Sequence, residues 1–390
     1  MKEPAVILKK DKDKPIRNRH HWIFSGAVGS LPAFEDGAIL PVRSDSGDLL
    51  GYAYFNVKSS IIGRMLSFDK TAPLEAVEKN IDEALALRKM LLFEKTNACR
   101  LINAEGDNLP GLIVDRYDDI LVIQIATLGM EKLKPLILSS LIKKISPRSI
   151  YERSNLPTRR EEGLTDFEGH LYGDRVETVE IKEDGVRFLV EILGSQKTGF
   201  FLDLREMRQL VKSLAEGRTV LNCFCYTGAF SIAALAGNAA KVDSVDSSER
   251  AIELARRNFE LNGFSEKANR FFVEDVFEFL RRKEDRSYDL IILDPPAFAK
   301  KKTDVVQACR GYKDINRLAI GKILPRGLLL TFSCSYFVNE ALFQKVIFQA
   351  AAEARRKVRL LQRHHLAHDH PVNIFHPESE YLKSLVLYVE

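Results

Sequence analysis

The stretch LTFSCSYF, residues 330–337, carries a cysteine between two serines at the end of an apolar run. A cysteine that only fills space would lie inside the apolar run, whereas Cys334 follows it. At the carboxyl end of a strand, its thiol would face whatever binds along that edge of a sheet. A thiolate there is a candidate nucleophile, although a thiol with an ordinary pKa of about 8.5 must first lose its proton. The alternative is that Cys334 is a small packing residue, a common role of cysteine.

A second reactive group follows an earlier apolar run, in LDPPAF, residues 293–298. Two prolines after an acid cannot continue a sheet ladder, and they stiffen the turn. Such a turn would project Asp294 and the neighbouring carbonyls toward a planar substrate. An acid followed by two prolines at this place recurs in methyltransferases that modify nucleobases. The alternative is a rigid loop with no further role.

Cys334 and Asp294 together predict one particular reaction. In a doubly wound sheet the fifth strand lies beside the fourth, so the two side chains should meet at the mouth of one site. Carbon 5 of cytosine is too weak a nucleophile to take a methyl group directly, but a thiolate that adds to carbon 6 activates it. An acid at N3 would stabilise the charge that this addition places on the ring. We therefore expect Cys334 to be the nucleophile and Asp294 to be the partner of N3.

The loop NCFCYTGAFS, residues 222–231, follows the first strand of the same predicted sheet and contains one glycine, Gly228. A dinucleotide fingerprint needs several glycines so that the backbone can approach a pyrophosphate. The loop therefore disfavours NAD and fits a ligand without phosphates, of which S-adenosylmethionine is the common case. Asp246 and Asp275, at the ends of the next two strands, could bind the ribose hydroxyls and the adenine amino group. Each aspartate has a second interpretation, as the N-cap of the helix that follows it.

A regular alternation of strands and helices from about residue 190 onward would position these groups. Seven strands with crossover helices predict a doubly wound α/β sheet over residues 189–390. Residues 1–72 contain short β-like runs separated by Gly, Asp and Ser, which predicts a small β-barrel. Residues 73–188 begin with a helical connector and continue as a central α+β module. The strands expected in the sheet are residues 219–224, 241–246, 270–275, 288–294, 327–333, 357–364 and 382–390.

Composition and charge narrow the class of protein. The chain has 390 residues, of which 45% are hydrophobic and 29% charged, as in a globular protein of two or three domains. No apolar run approaches the roughly 18 residues of a membrane span, and no signal-peptide core is present, so we expect a cytoplasmic protein without membrane contact. Five cysteines without a C-x-x-C pair argue against a disulfide framework and a four-ligand zinc site, and no metal ligands are predicted. The basic residues 1–20 suit a polyanion such as nucleic acid; a solvated terminus is the alternative.

Several longer motifs resemble one known family. They are DPPAF, the loop 222–231, SQKTGFFLDLRE (195–206), ACRGYKDINRLAI (308–320) and the SCS after the fifth strand. They resemble the RlmI-type bacterial methyltransferases, which form 5-methylcytosine in 23S ribosomal RNA. RNRHHWIFSGAV (17–28) looks like the start of that family's N-terminal PUA domain, an RNA-binding β-barrel. The resemblance spans the chain. It implies a Rossmann-like class I methyltransferase domain, S-adenosylmethionine as cofactor, and 23S ribosomal RNA or a ribosomal assembly particle as partner.

The resemblance also implies roles for individual residues. Cys334 would be the nucleophile and Asp294 part of the catalytic pocket, with Asp246 on the ribose and Asp275 on the adenine. Many other RNA cytosine-C5 enzymes carry a second cysteine directly after the two prolines. Here that position is Ala297, so the base that removes the carbon-5 proton stays open. The other predicted cofactor contacts are Lys197, Thr198, Gly199, Phe200, Phe201, Asp203, Arg205, Asn222, Phe224, Tyr226, Thr227, Gly228, Ser247, Val276, Asp294 and Pro295.

The predicted RNA contacts are basic and aromatic side chains. They are Arg17, Arg19, Phe298, Arg310, Lys313, Arg317 and Tyr336. The three in the helix after the Pro-Pro turn fall at i, i+3 and i+7, so they share one face that could meet phosphates. The two rings flank the reactive turns and could stack on a cytosine extruded from its helix. The alternatives are a solvated basic face and rings that pack in the core.

Three functions are compatible with these residues. The first is methylation of cytosine carbon 5 in RNA. The second keeps the fold and cofactor but acts on a guanine or adenine nitrogen, for which Cys334 is not needed. The third is an RNA-binding ribosome assembly factor that no longer catalyses methyl transfer. The sequence leaves open which nucleotide is modified and whether the chain forms a homodimer.

Overall fold

A computed structural model of the chain describes residues 4–92, 96–193, 199–282 and 287–390. The chain forms two compact units that alternate along the sequence. Unit 1 comprises Met1–Ile181, Val190–Leu202 and His368–Ser379, and unit 2 comprises Lys182–Leu189, Asp203–Ala367 and Glu380–Glu390. The division into three domains at residues 72 and 188 stays a prediction. None of the described helices combines the length and apolar composition that a membrane span requires.

The first part of unit 1 is a sheet of short strands, as the punctuated β-like runs predict. Its elements are β1 (Val6–Leu8), α1 (Lys14–Arg17), β2 (Trp22–Phe24), β3 (Val28–Ser30), β4 (Ile39–Arg43), β5 (Leu49–Phe55) and β6 (Ile61–Ser67). The strand order is β2-β6-β5-β4-β1-β3. Val6, Val42, Phe55 and Met65 are fully buried in one shared core, which gives this sheet its own hydrophobic interior.

The second part of unit 1 is a five-stranded sheet with order β11-β10-β9-β8-β7. Its elements are α2 (Pro73–Leu92), β7 (Ala98–Asn103), β8 (Leu112–Tyr117), β9 (Ile120–Ile125), α3 (Leu128–Ile145), β10 (Ser149–Ser154), α4 (Pro157–Glu161) and β11 (Phe167–Gly173). The segment His368–Ser379 returns to this unit late in the chain. There the Arg88 guanidinium donates to the Asp369 carbonyl at 2.9 Å, and the Asp369 carboxylate accepts the Arg100 amide at 2.9 Å. These two bonds, one buried and one partly buried, attach the returning segment to the rest of unit 1.

Unit 2 is the predicted doubly wound sheet. A hairpin of β12 (Thr178–Glu183) and β13 (Val186–Glu191) precedes it. Its own elements are α5 (Arg205–Leu214), β14 (Thr219–Cys223), α6 (Ala229–Ala236), β15 (Lys241–Asp246), α7 (Glu249–Leu261), β16 (Asn269–Val273), α8 (Val276–Arg281), β17 (Tyr288–Leu293), α9 (Val305–Lys322), β18 (Ile323–Ser333), α10 (Glu340–Glu353), β19 (Val358–His364) and β20 (Lys383–Val389). Within the described residues seven strands pair in the order β16-β15-β14-β17-β18-β20-β19.

The observed strands confirm the prediction of a seven-stranded doubly wound sheet, with ends that move by a few residues. The largest difference is β18, which begins at Ile323 rather than at residue 327. Strands β14 to β18 are mutually parallel, whereas β20 runs antiparallel between β18 and β19. The alternation of helices and strands predicts parallel strands joined by crossover helices. It does not predict β20, which follows β19 without an α-helix between them and runs in the opposite direction to β18. In the first part of unit 1, β2 and β3 have only three residues each.

Candidate active site

The predicted reactive residues follow parallel strands, whose carboxyl ends meet along one edge of the sheet in unit 2. Leu293 of β17 lies opposite Thr331 of β18, and Cys223 of β14 lies opposite Val245 of β15. The turns that begin one to three residues later therefore lie side by side. Ligands of doubly wound sheets bind outside this edge. The topology thus brings the cysteine turn, the Pro-Pro turn and the glycine loop to one place.

Cys334 contacts the turn that carries Asp294. Its Sγ lies 3.8 Å from the carbonyl oxygen of Pro295, and both Cys334 and Asp294 are half-buried. Cys334 is outside the apolar run of β18, which ends at Ser333. A half-buried thiol on a turn is accessible to a ligand in a way that the fully buried Cys223 is not. The structure therefore places the Cys334 thiol against the turn that carries Asp294.

The two serines beside Cys334 anchor its turn. Ser335 is fully buried, and its hydroxyl accepts the amide of Ala299 at 3.0 Å and pairs with the hydroxyl of Tyr312 at 2.9 Å. Ala299 belongs to the Pro-Pro turn and Tyr312 to α9, so one hydroxyl joins three elements. The hydroxyl of Ser333, also fully buried, accepts the Ser335 amide at 3.4 Å. The serines therefore hold the backbone, and the half-buried Cys334 lies between them.

Lys383 is a site residue that the sequence analysis missed. Its ammonium donates to the carbonyls of Ser335 and Tyr381, each at 2.7 Å, directly behind the cysteine turn. Burial lowers the pKa of Lys383 to about 8, and attraction to a negative charge on Cys334 partly opposes this. The attraction is reciprocal, so the ammonium stabilises a Cys334 thiolate. The available signal was a lysine at the start of the otherwise apolar strand β20.

The glycine loop between β14 and α6 has a strained backbone. Phe224, Tyr226 and Gly228 have positive φ angles of 57°, 47° and 79°. A left-handed conformation is unusual for aromatic residues, and such strain concentrates at functional sites. Only glycine suits position 228, because a Cβ there would also lie 3.1 Å from the Cβ of Ala255. The Cys225 amide donates to the Val245 carbonyl at 3.0 Å, which fixes the loop on the sheet.

Two buried polar atoms in this loop region have no hydrogen-bond partner among the described residues. They are Oδ1 of Asn222 and Oγ1 of Thr227. The rest of each residue is held in place, since Asn222 Nδ2 donates to Ser231 Oγ at 2.9 Å and the Thr227 carbonyl accepts from Asn258 at 3.0 Å. Buried polar groups normally have a partner, so orphaned acceptors suit a ligand that brings donors. They fit the ammonium group of the predicted cofactor.

Asp246 lies at the carboxyl end of β15 and does not cap the following helix. Its carboxylate accepts the amides of Tyr226 and Ser248, both at 2.9 Å, which ties the glycine loop to the second strand. The helix N-cap is Ser248, whose side chain accepts the Ala251 amide. The N-cap interpretation of Asp246 was therefore wrong. The exposed Ser247 follows it directly.

Asp275 does cap a helix. Its carboxylate accepts the Glu278 amide at 3.1 Å at the start of α8, and the side chain is exposed. The structural alternative for Asp275 is therefore present, and its contact with an adenine stays a prediction. The neighbouring Val276 is buried in the core of unit 2.

The remaining predicted cofactor residues do not all share this edge. The Asp203 carboxylate accepts the hydroxyl of Tyr381, and the buried Arg205 lies 3.3 Å from Glu183, so both have structural partners in unit 2. Gly199, Phe200 and Phe201 precede the unit boundary, and the Phe200 amide donates to Tyr117 at 3.2 Å within unit 1. Lys197 and Thr198 lie outside the described residues. Their cofactor roles stay predictions.

The predicted RNA contacts of unit 2 differ in their solvent exposure and in their pairing with other side chains. Tyr336 is 51% exposed beside the cysteine turn, as a stacking surface would be. Phe298 is half-buried and packs on Tyr312, with ring centroids 4.6 Å apart. On α9, Lys313 pairs with Glu353 at 2.6 Å and Arg317 with Asp314 at 2.6 Å, while Arg310 is exposed. Carboxylates that accompany these cations weaken their attraction for phosphates, and the contacts stay predictions.

The predicted RNA contacts of unit 1 lie near the start of the barrel. Arg17 pairs with Asp13 at 2.7 Å and with Asp48 at 3.0 Å on the surface. Arg19 lines a surface pocket of about 270 Å³ together with Lys79. A contact of either arginine with RNA stays a prediction.

Two family models match the chain. The model of the S-adenosylmethionine-dependent methyltransferase family matches residues 162–369. The model of the PUA-like domain matches residues 6–68. The first covers more than half of the chain. The cofactor predicted from the glycine loop and the barrel predicted from the punctuated runs are therefore confirmed at the level of the family. S-adenosylmethionine is the cofactor.

Curated relatives match nearly the whole chain. The ribosomal RNA large subunit methyltransferase I of Alteromonas mediterranea is 40% identical over 387 residues, 98% of each chain. The protein of the same name from Aeromonas hydrophila is 41% identical over 391 residues, again 98% of each chain.

Solved structures share the fold over its full length. An S-adenosylmethionine-dependent methyltransferase from Streptococcus mutans is 26% identical with a TM-score of 0.83, covering 99% of this chain and all of the other. A methyltransferase complexed with SAH is 26% identical with a TM-score of 0.85 and the same coverage.

The Ser335 hydroxyl should stabilise the fold measurably. Ser335→Ala removes one acceptor and leaves the buried Ala299 amide and Tyr312 hydroxyl without it, so we expect the free energy of unfolding to fall by about 1–3 kcal/mol. Urea denaturation measures this change. Ser213→Ala is the control, since that exposed hydroxyl only donates to the Leu210 carbonyl of its own helix and its loss should change stability by less than about 0.5 kcal/mol. Equal effects of the two substitutions would contradict the anchoring role.

Proposed function

Because the chain belongs to the S-adenosylmethionine-dependent methyltransferase family whose curated relatives are named ribosomal RNA large subunit methyltransferase I, we propose that it methylates carbon 5 of a cytosine in 23S ribosomal RNA. A ribosomal RNA substrate, free or in an assembly particle, places the reaction in the cytoplasm. The PUA-like barrel supports an RNA partner. The observation that carries the choice of atom is the contact of Cys334 with the turn of Asp294.

The reaction begins at the two groups of that contact. The Cys334 thiolate adds to carbon 6 of the cytosine, forming a carbon–sulfur bond and moving ring electrons toward N3. Asp294 stabilises this charge by a hydrogen bond or proton at N3. The ring then has enamine character, and carbon 5 becomes nucleophilic. Bound S-adenosylmethionine supplies the methyl group at this stage. Loss of the carbon-5 proton to a base then re-forms the double bond between carbons 5 and 6, breaks the carbon–sulfur bond and returns the thiolate, and N3 gives its proton back to Asp294.

Lys383 keeps the nucleophile reactive. The ammonium is buried behind the cysteine turn, where its attraction for a thiolate is stronger than it would be in water. It donates to two backbone carbonyls, so its position does not depend on the charge of Cys334. Lys383 thus acts through Cys334, and no contact with the substrate is required of it.

The nucleophile is tested by Cys334→Ala. We expect the formation of 5-methylcytidine in deproteinised 23S RNA to fall at least about 10³-fold, because no other described thiol lies on this turn. Nucleoside mass spectrometry of RNA incubated with S-adenosylmethionine measures the product. Cys309→Ala is the matched control, since Cys309 is also half-buried but lies in α9.

Two results would contradict this proposal. Undiminished 5-methylcytidine from Cys334→Ala would remove the nucleophile, leaving Cys334 as a packing residue. A methylated guanosine or adenosine in place of 5-methylcytidine would show that the enzyme acts on a different base.

The lysine is tested by Lys383→Met, which keeps an unbranched side chain only one heavy atom shorter and removes its charge. We expect slower alkylation of Cys334 by iodoacetamide at pH 7, by about 10-fold, and a parallel loss of methylation. Lys322→Met is the control, because Lys322 also donates to a carbonyl, that of Arg282, but lies on the surface. Unchanged alkylation in Lys383→Met would show that the lysine only supports the backbone.

The pH dependence of methylation by the wild-type protein is a second test of the role of Lys383. Its ammonium is lost as pH rises through about 8, so its help to the thiolate is lost above that pH. The pKa of Lys383 in the folded state lies below its ordinary value of 10.5, so burial of the charged lysine lowers the stability of the fold below about pH 8. This loss of stability disappears as the pH rises from about 8 to 10.5. Unfolding caused by this group therefore cannot explain a decline of activity above pH 8.

The ribose contact is tested by Asp246→Asn. The substitution removes the negative charge while keeping one acceptor, and we expect S-adenosylmethionine to bind about 10-fold more weakly in calorimetry. Asp289→Asn is the control, since the Asp289 carboxylate also accepts a backbone amide, that of Thr219 at 2.8 Å, but lies at the amino ends of the strands. Equal losses in the two variants would assign the effect to stability.

A further inference from the structure

Unit 1 contains a cluster of two histidines and a glutamate that the methyltransferase reaction does not use. His20 lies between α1 and β2, and His376 and Glu378 lie in the returning segment His368–Ser379. One nitrogen or oxygen atom of each side chain lies within 4.8 Å of those of the other two. His20 Nε2 is 3.3 Å from Glu378 Oε1, and His376 Nδ1 is 3.7 Å from Glu378 Oε2. Residues separated by more than 350 positions in the sequence thus face one point.

His376 is the decisive member of the cluster. Its side chain is 1% exposed, and neither ring nitrogen has a hydrogen-bond partner among the described residues. The rings of Trp22 and His20 pack against it, with centroids 4.5 Å and 4.7 Å from that of His376. A buried imidazole without a partner is destabilising and requires an explanation. A cation at the centre of the cluster would provide the missing partner for the His376 imidazole.

The unoccupied atoms of the cluster suit a cation. Neither ring nitrogen of the buried His376 is engaged in a hydrogen bond within the described residues, so a ring nitrogen can donate a lone pair. The Glu378 Oε2 atom has no hydrogen-bond partner in the described part of the chain. Two imidazoles and one carboxylate form a common metal-ligand set.

The surroundings of His20 supply the outer support that ligating histidines have. Its Nδ1 lies 3.4 Å from the Trp22 carbonyl and 3.2 Å from the Trp22 amide nitrogen. Either tautomer of the ring therefore has a backbone partner. With the proton on Nδ1, that atom donates to the carbonyl and Nε2 is free to bind a metal. The indole of Trp22 is itself fixed, since its Nε1 donates to Glu105 at 2.9 Å.

We propose that His20, His376 and Glu378 bind a divalent transition-metal ion, with Zn²⁺ as the best match to two imidazoles and one carboxylate. Zinc–nitrogen distances of about 2.0–2.1 Å require the ligand atoms to lie about 3.3 Å apart, so the side chains need shifts of about 1 Å. Three protein ligands leave a fourth position for water. The ion would crosslink the returning segment to the start of the barrel within unit 1. This inference does not depend on the proposed reaction at Cys334.

Titration of the metal-free full-length chain with Zn²⁺ tests the proposal. We expect binding of one ion per chain in calorimetry and a rise of several degrees in the melting temperature at saturating Zn²⁺. Co²⁺ should bind at the same site and give visible absorption bands. Mg²⁺, which prefers oxygen ligands, should produce neither effect. The absence of stoichiometric Zn²⁺ binding to the chain would overturn the proposal.

Matched variants locate the site. His376→Phe keeps an aromatic ring against Trp22 but removes a ligand, and we expect it and Glu378→Gln each to weaken Zn²⁺ binding about 100-fold. His365→Ala is the control, since His365 also contacts a glutamate, Glu380 at 2.6 Å, but is 43% exposed in unit 2. Stoichiometric Zn²⁺ binding that survives both ligand substitutions, or that is lost in His365→Ala, would overturn the assignment. Circular dichroism of the metal-free variants separates ligand loss from misfolding.

Discussion

The active site depends on one constraint, the parallel pairing of β17 with β18. This register places Leu293 opposite Thr331, so the turns that follow the two strands leave the sheet side by side. Asp294 comes one residue after its partner position and Cys334 three residues after. A shift of the register by one residue would turn every side chain of the strand to the other face. The arrangement of the two turns therefore depends on the strand pairing in the fully buried middle of the sheet.

Buried polar groups convert this register into a fixed geometry for the thiol. The hydroxyl of Ser335 joins the Pro-Pro turn to α9, and the ammonium of Lys383 joins the cysteine turn to β20. Each is satisfied by several partners, as buried polar groups must be if they are to stabilise a fold. Ser335 holds the backbone of the turn, and the lysine supplies a buried ammonium beside it. The position of the Cys334 thiol thus comes from neighbours that sequence motifs alone do not identify as functional.

The sequence predicts the sheet well because helix and strand periodicities are local properties. Strands β15 and β17 are found within a residue of their expected ends, and the meeting of Cys334 with the Pro-Pro turn follows from the order of two neighbouring strands. Lys383 was missed because its role depends on β20 lying antiparallel beside β18, a long-range pairing without a local signal. The histidine cluster was missed for the same reason. Its members come from the two ends of the chain, and no short spacing resembles a metal motif.

Local rules are broken in both places where a ligand is inferred, and in different ways. In unit 2 the strain is conformational, with left-handed aromatic residues at Phe224 and Tyr226 and orphaned oxygens on Asn222 and Thr227. In unit 1 none of the described residues 368–379 has a positive φ angle, and the anomaly is a buried imidazole without a hydrogen-bond partner among the described residues. Sequences are expected to be locally consistent except where function requires otherwise. A strained loop prepares oriented backbone groups for a cofactor that must enter and leave. An unpartnered donor set suits an ion that stays and completes the fold.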